Sequence, residues 1–267
     1  MDESPSCEID LTGRVAVVTG GGRGIGRAIA LALAGCGAPV AVVARTEGQL
    51  AETVERIEHA GGRATAAPAD ASDPSAVQRM VAEVEKTLGP VEILVNCAGV
   101  SGPIGPTWET DPEDWWTCLE VNLRGPMLCS RAVLPSMIAR RSGRIVNVAS
   151  GAGTQAIAYL SAYVVSKTAL IRLTENLDRE AREYGIRLFA IEPGTVRTTM
   201  TDSALESEQG RKWLPWMRDV FEQRSDVPPD RAGRLVALLA SGRADALSGR
   251  FLTIYDDIPG MVEQIDP

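Results

Sequence analysis

The stretch Val15-Ala-Val-Val-Thr-Gly-Gly-Gly-Arg-Gly-Ile-Gly26 decides the fold of this chain. Its β-branched run over residues 15–19 predicts a buried strand, and a helical pattern begins at Gly24. The glycines between them permit positive φ and let the backbone approach a phosphate at the helix N-terminus, where amides and the helix dipole stabilise negative charge. A glycine-rich turn alone is equally typical of an ordinary tight turn, but the strand before it and the helix after it favour a nucleotide site.

Short apolar runs alternate with longer helical patterns along the rest of the chain. The predicted strands cover residues 15–19, 40–44, 64–68, 93–96, 144–149, 186–192 and 251–255, and the predicted helices cover 24–34, 47–59, 74–88, 112–140, 162–184 and 230–240. Continuously apolar strands are buried on both faces, as in a parallel sheet covered by helices. We therefore predict an α/β fold over residues 1–267: one domain with a single doubly wound, Rossmann-type parallel sheet and helices on both faces.

The composition excludes several classes of partner. A formal net charge of −8 would be repelled by phosphates, so we expect no nucleic acid and no membrane as partner, and a small molecule instead. His59 is the only histidine and the five cysteines form no CxxC pair, so we expect no metal site. The odd number of cysteines, and an acidic stretch at residues 1–8 that lacks the features of a secretory signal, predict a cytoplasmic location.

Tyr163 and Lys167 carry the strongest chemical signal. They stand four residues apart in Ser161-Ala-Tyr-Val-Val-Ser-Lys167, in a chain with four tyrosines and three lysines, so a chance pairing is improbable. Residues four apart share a helix face, where an ammonium favours the phenolate and lowers the pKa of the phenol. Such a phenol can protonate a carbonyl oxygen that receives a hydride. Ser150, at the end of a predicted strand, can donate a hydrogen bond to the same oxygen.

Further motifs extend this pattern. Asn122 lies in the long predicted helix, Asn96-Cys-Ala-Gly99 follows the fourth strand, and Pro193-Gly194 follows the sixth. Together with the Thr-Gly-x-x-x-Gly-x-Gly loop and the Tyr-x-x-x-Lys pair, they make residues 12 to 255 resemble the short-chain dehydrogenase/reductase family. The family motif has a second Asn where this chain has Cys97. Whether this chain forms the hydrogen bond of that second Asn is therefore an open question at the level of the sequence.

The resemblance implies the site residues and their roles. Asn122, Ser150, Tyr163 and Lys167 match the family's catalytic tetrad, in which the lysine also binds the nicotinamide ribose and the asparagine holds a water that relays the proton. The implied cofactor-binding residues are Gly20, Gly22, Arg23, Gly24, Ile25, Gly26, Arg45, Asp70, Ala71, Asn96, Ala98, Gly99, Tyr163, Lys167, Pro193, Gly194, Val196 and Thr198. Among them Asp70 would bond the adenine amine and Thr198 the carboxamide. Three of the four tetrad residues also have a structural alternative: Ser150 as a helix cap, Asn122 as a buried amide that closes a backbone gap, and Tyr163 as a helix aromatic.

Arg45 decides the predicted cofactor. It stands where an NAD-binding sheet would place an acid for the ribose hydroxyls, and a guanidinium there binds a 2′-phosphate instead. With Arg23 it favours NADP(H), with NAD(H) as the alternative. The opposing interpretation is that both are solvated loop arginines.

Residues 199–229 form the most distinctive segment of this sequence. Trp213, Trp216 and Met217, with Val220 and Phe221, follow helical spacing on one predicted face. In the family this position holds a lid over the substrate, so the predicted substrate contacts are Ser150, Tyr163, Trp213, Trp216 and Met217. Alternatively, these residues pack on the body of the protein or on a neighbouring subunit. The small number of polar groups favours an apolar or aromatic ketone, or a polyketide-like intermediate.

These observations predict an NADPH-dependent carbonyl reductase. The alternatives are an NAD(P)+-dependent alcohol dehydrogenase that uses the same tetrad, and a regulator that binds NADP without catalysis. The resemblance also implies a homotetramer or homodimer built on the helices at 112–140 and 162–184. Phe251-Leu-Thr-Ile-Tyr-Asp-Asp-Ile258 departs from the family's usual Asp-Gly-Gly ending, which weakens that expectation for the C-terminal tail.

Overall fold

A computed structural model describes residues 9–265 of the chain. Seven parallel strands form one sheet in the order β3-β2-β1-β4-β5-β6-β7. The strands are β1 Val15–Thr19, β2 Val40–Ala44, β3 Ala64–Pro68, β4 Val91–Asn96, β5 Gly143–Val148, β6 Ile186–Glu192 and β7 Phe251–Thr253. This confirms the predicted doubly wound parallel sheet. The stretch at residues 1–8, from which a cytoplasmic location was inferred, lies outside the described residues.

Helices cover both faces of the sheet. They are α1 Gly24–Gly35, α2 Glu47–His59, α3 Pro74–Thr87, α4 Pro112–Leu119, α5 Gly125–Arg140, α6 Ser161–Ala181, α7 Thr199–Glu206, α8 Glu208–Trp213, α9 Pro215–Glu222, α10 Asp230–Ser241 and α11 Ile258–Glu263. One core cluster packs α1 and α10 on the sheet through residues such as Ile29 and Val236. The other packs α3 and α5 on the opposite face, for example through Val84 and Met137. Burial of each side chain of this size contributes about 1.5–3 kcal/mol to the stability of the fold. This packing holds the strand ends in place.

The predicted long helix at 112–140 is divided by a π-helical turn, Glu120–Arg124. Pro126 explains the division, because proline lacks an N–H and its ring clashes with the carbonyl four residues earlier, which belongs to Asn122. The wider turn accommodates this, and the amide of Gly125 bonds to the carbonyl of Glu120 five residues back. Among the other predicted elements, the strands at 15–19, 40–44, 64–68 and 186–192 and the helix at 47–59 have the predicted bounds, and the rest differ by one to three residues at their ends.

The strand order reverses between β1 and β4. Ligands of open α/β sheets bind outside the carboxyl ends of the strands at such a point. The loops that follow β1, β4, β5 and β6 carry the predicted motifs, so the fold brings them to one edge. Within residues 9–265, no helix combines the length and the apolar character needed to cross a membrane.

Candidate active site

The loops after β1 and β4 are in direct contact. Thr19 Oγ1 accepts hydrogen bonds from the amides of Cys97 (3.0 Å) and Ala98 (3.1 Å). Gly20 has φ +68°, and a Cβ there would lie 2.9 Å from the Ala98 backbone. A side chain at Gly20 is therefore excluded both by the backbone conformation and by the neighbouring loop.

The glycine-rich loop packs against the first turn of α1 and is tied to α2 through Arg27. A Cβ at Gly26 would lie 2.2 Å from the Gly20 carbonyl oxygen. Arg27 Nε donates to the Gly22 carbonyl at 3.1 Å, and its guanidinium also binds Glu52. These contacts fix the loop at the N-terminus of α1, where free amides favour an anion.

A cleft runs along the carboxyl edge of the sheet from this loop to α6. Most of the predicted cofactor residues line it: Gly20, Gly22, Arg23, Gly24, Ile25, Gly26, Arg45, Asp70, Ala71, Ala98, Gly99, Tyr163, Lys167, Pro193 and Thr198. Gly194 and Val196 are not among its lining residues, and Val196 is buried. Lining residues outside the quoted motifs include Val43 of β2, Gln49 of α2 and Ser72 in the loop after β3. No sequence pattern singled out these three residues.

Asn96 also lies behind the cleft rather than in its lining. It is 2% exposed, and its Nδ2 donates to Asn147 Oδ1 at 2.8 Å. Asn147 in turn donates to Thr174 of α6 at 2.9 Å. This buried amide chain ties β4, β5 and α6 together, so Asn96 holds the strands that carry the site.

The two arginines predicted to select the cofactor both stand at the adenosine end of the cleft. Both are exposed, and Arg45 Nη1 lies 3.9 Å from Asp70 Oδ2. Hydrogen bonds from the hydroxyl and amide of Ser72 lower the pKa of Asp70, and Arg45 lowers it further. The region therefore presents two guanidinium groups and one ionised carboxylate.

Tyr163 and Lys167 lie together on α6 at the other end of the cleft. Lys167 Nζ is 5.7 Å from the centre of the Tyr163 ring and donates to the Val148 carbonyl at 2.8 Å. Burial lowers the pKa of Lys167 to about 8. The Tyr163 side chain is partly exposed, and burial of its hydroxyl raises its pKa despite the opposing effect of the nearby Ser150 side chain.

The predicted effect of Lys167 on Tyr163 is therefore not what the structure shows. Helical spacing places the ammonium beside the ring, but Nζ donates to a backbone carbonyl, and burial is the main cause of the shift in the pKa of the phenol. The net pKa of the phenol is raised rather than lowered.

Ser150 follows β5 and contacts Tyr163. Its Oγ accepts the amide of Ala152 at 3.2 Å and so caps the short turn Gly151–Gly153. Ser150 is therefore a cap, and its role as a partner of Tyr163 in catalysis stays a prediction.

Asn122 makes the contacts of a structural amide. It is fully buried in the π-helical turn and exchanges two hydrogen bonds with the backbone of Val100, at 2.8 and 2.9 Å. A third goes to Ser166 of α6 at 3.0 Å. Its side chain thus fixes the loop after β4 against the catalytic helix.

The predicted single helical face in the 199–229 segment is wrong. Trp213 ends α8, whereas Trp216 and Met217 belong to α9, because Leu214 leaves the helical conformation and Pro215 starts a new helix. Thr198 caps α7 and lies 3.3 Å from the Cβ position of Gly24, so the segment begins against the nucleotide loop.

Thr199 and Met200 of this segment line the cleft, whereas Trp213 does not line it and packs near its rim. Its ring stacks on Tyr159 with 4.4 Å between centroids, and it borders Gly105, whose amide donates to the Tyr159 carbonyl at 2.9 Å. Trp216 is 42% exposed, so it is not part of the core. Tyr159 has φ +68° and gave no sequence signal as a site residue.

Comparisons with known proteins agree with this geometry. A family model described as short chain dehydrogenase matches residues 14–209. A short chain dehydrogenase of Pseudocercospora fijiensis is 38% identical over 266 residues, covering 96% of this chain and 84% of that protein. The 2,3-dihydro-2,3-dihydroxybenzoate dehydrogenase of Bacillus subtilis is 38% identical over 239 residues, covering 88% of this chain and 91% of that protein.

Among solved structures, a variant of actinorhodin polyketide ketoreductase with NADPH superposes with a TM-score of 0.85. It is 32% identical and covers 92% of this chain and 97% of its own. The glycine-rich loop, the Ser150–Tyr163–Lys167 arrangement and these matches place the chain in the short chain dehydrogenase family, as an NAD(P)-dependent oxidoreductase.

Proposed function

We propose that the chain is an NADPH-dependent carbonyl reductase that acts on a small or medium apolar ketone. The observation that carries this proposal is the pair of Tyr163 and Lys167, with Lys167 Nζ 5.7 Å from the centre of the Tyr163 ring, in the lining of a cleft that also contains the glycine-rich loop. When bound, the dinucleotide would supply the hydride.

The residues of the cleft fit such a dinucleotide. Gly20 and Gly24 adopt positive φ and leave the cradle free of side chains, and the N-terminus of α1 offers amides to a pyrophosphate. Arg45 and Arg23 would bind the 2′-phosphate, and Asp70 the adenine amine. NAD(H) is the alternative, because exposed arginines select a phosphate less strongly than buried ones.

The catalytic residues would divide the proton chemistry among them. The hydroxyl of Tyr163 is protonated near neutral pH and can act as the general acid, but its raised pKa makes it a weaker acid than a free phenol. Ser150 would donate to the same substrate oxygen, and Lys167 would supply positive charge beside the phenol and a contact to the ribose.

Asn122 would support a proton relay through its backbone. Its side-chain atoms are engaged with Val100 and Ser166, so a relay water would contact its carbonyl oxygen. The helical partner of that carbonyl is Pro126, which has no N–H to offer.

The substrate side would be formed by the 199–229 segment as a lid on the single domain. Trp213, with Trp216 and Met217, would cover an apolar ketone, and the Tyr159–Trp213 stack supports Trp213 as the inner contact. The likeness to a polyketide ketoreductase supports a polyketide-like substrate. If the segment were purely structural, its aromatic groups would serve packing alone.

Two alternative functions follow from the same residues. The likeness to a dihydroxybenzoate-type dehydrogenase supports alcohol oxidation with NAD(P)+ by the same tetrad. A regulator that binds NADP without catalysis would not need Tyr163 and Lys167, and both are in place.

The proposal also covers the oligomeric state, the cellular location and the partners of the protein. We expect a homotetramer or homodimer built on α4–α5 and α6, acting on small molecules in the cytoplasm, without nucleic acid or membrane partners. Light scattering of the purified protein and cell fractionation test these points.

A panel of apolar ketones with NADPH, with oxidation of the cofactor followed by absorbance, tests the proposed function directly. Tyr163→Phe is the control. We expect turnover in the parent and a loss of about 10²–10⁴-fold in the variant. Equal turnover in both proteins would refute the assignment of Tyr163.

A further inference from the structure

The loop after β4 runs along the start of the catalytic helix. A Cβ at Gly102 would lie 3.2 Å from the Cβ of Ala162, the residue before Tyr163. Further along the loop, the amide of Gly105 donates to the Tyr159 carbonyl at 2.9 Å. The loop therefore passes beside the catalytic tyrosine and meets Tyr159 just ahead of α6.

The 199–229 segment reaches the same place from the loop after β6. Its first two residues line the cleft. Its far end returns to the loop after β6, where the amide of Val227 donates to the Thr195 carbonyl at 2.8 Å. Between these ends, the ring of Trp213 stacks on that of Tyr159 with 4.4 Å between centroids. The segment thus spans from the loop after β6 to the start of α6, and this stack is its contact there.

Local contacts orient the Trp213 ring for the stack. Its Nε1 donates to Gln209 Oε1 at 3.1 Å, one turn earlier in α8, and Lys212 Nζ lies 4.5 Å from the centre of the ring. Both the ammonium and the phenol ring are attracted by the π-system of the indole. The indole is therefore placed by α8, and its stacking partner comes from outside the segment.

Tyr159 supplies that partner from an unusual backbone conformation. Its φ is +68°, a left-handed value that is uncommon for a bulky residue. Such a conformation persists where the surrounding structure holds it, and here the Gly105 amide and the Trp213 ring do so. Tyr159 is 37% exposed, so its ring is not part of the core. These features fit a residue that serves the site rather than the packing of the fold.

We propose that Tyr159 is a specificity-determining residue, which holds Trp213 and with it the 199–229 segment across the substrate end of the cleft. An apolar ketone that is large enough to reach the indole gains its contact, and a smaller ketone does not. Tyr159 thus favours bulky apolar or aromatic ketones without taking part in proton transfer. This inference deepens the proposed function and rests on it, because it concerns the substrate of the same site.

Three substitutions separate the ring from the backbone and from general effects. Tyr159→Gly removes the ring and suits the left-handed backbone, whereas Tyr159→Phe keeps the ring. Tyr184→Ala is the matched control, because Tyr184 is 38% exposed and lies after the far end of α6, outside the cleft. If circular dichroism shows that Tyr159→Gly does not fold, Tyr159→Asn takes its place, because asparagine also tolerates this conformation.

The first measurement needs no substrate. Trypsin cleaves after Arg211 and Lys212 of α8 when the 199–229 segment opens locally, and mass spectrometry identifies the first fragments. We expect Tyr159→Gly to speed these cleavages about two- to tenfold, as for the loss of one aromatic pair. Tyr159→Phe and Tyr184→Ala should be cleaved at the parent rate. An unchanged rate in Tyr159→Gly would overturn the inference, whether or not the protein is a reductase.

The second measurement uses the ketone panel. The measured quantity is the ratio of kcat/KM for a bulky aromatic ketone to kcat/KM for a small one, because a general loss of activity cancels in this ratio. We expect Tyr159→Gly to lower the ratio about tenfold, through a higher KM for the bulky ketone. Tyr159→Phe should keep the parent ratio.

An unchanged ratio in Tyr159→Gly, or an equal fall of kcat/KM for both ketones, would overturn the specificity role. In that case an active parent and an inactive Tyr163→Phe variant leave the proposed function standing. If the parent reduces no ketone, the proposed function fails and the specificity role fails with it, whereas the trypsin result still decides whether the stack holds the segment.

Discussion

Reversing the charge at Arg45 tests the proposed cofactor preference most directly. Its side chain is 73% exposed and lies 3.9 Å from Asp70, so solvent and that carboxylate both weaken its attraction for a 2′-phosphate. A hydrogen bond to a charged group contributes about 1.5–3 kcal/mol, and the exposure of Arg45 favours the lower end, or about tenfold in affinity. In Arg45→Asp the new carboxylate would also repel the phosphate.

We therefore expect Arg45→Asp to weaken NADPH by at least about tenfold, and to tighten NADH through hydrogen bonds to the ribose hydroxyls. Dissociation constants from titration calorimetry give this result without any substrate. Arg79→Asp is the matched control, because Arg79 is also exposed but lies on α3, outside the cleft. If the parent binds NADH as tightly as NADPH and Arg45→Asp changes neither constant, both arginines are ordinary surface charges and the reasoning fails.

Three further expectations concern the catalytic pair and the lid. Lys167→Met should lose rate and weaken cofactor binding together, and the loss of parent activity as pH rises through about 8, where the buried ammonium deprotonates, should vanish from its pH–rate profile. Lys167→Arg should also be poor, because a planar guanidinium cannot replace a compact ammonium at two contacts; near-parent kcat and cofactor affinity would contradict this. Trp213→Ala should raise the KM for large ketones while leaving cofactor affinity intact, because its ring stacks on Tyr159 near the site. Trp108→Ala, which alters an 84% exposed side chain, is the control, and a fall in melting temperature without a kinetic change would assign Trp213 to packing.

The sheet and the nucleotide end of the cleft could be predicted because their signals are local. Val15–Thr19 and Val40–Ala44 are continuously apolar, so their burial follows from the residues themselves, and both strands have the predicted bounds. Gly20 and Gly26 lie where a side chain would collide with backbone, which is why glycine at that spacing is informative. Asp73 and Pro74 likewise begin α3 as a cap and a first-turn proline.

The 199–229 segment and the long helix could not be predicted to the same detail, because backbone effects override periodicity there. Trp213 and Trp216 fit one helical face by spacing, but Pro215 begins a separate helix between them. Pro126 acts four residues upstream on Asn122 and turns a helical stretch into a π-helical one. Tyr159 takes its place from contacts with Gly105 and Trp213, which are far from it in sequence.

The pKa of Tyr163 is the clearest case of a property that residue spacing alone does not predict. Four residues between Tyr163 and Lys167 bring the two groups to one helix face, but the sign of the shift depends on what else encloses the phenol. Burial is the main cause of the raised pKa, and the groups that act on the phenol come from α4, from the loops after β4 and β5, and from the end of β6. A raised pKa keeps the phenol protonated but makes it a weaker acid, so burial defeats the sequence argument about Lys167 without favouring either direction of the reaction.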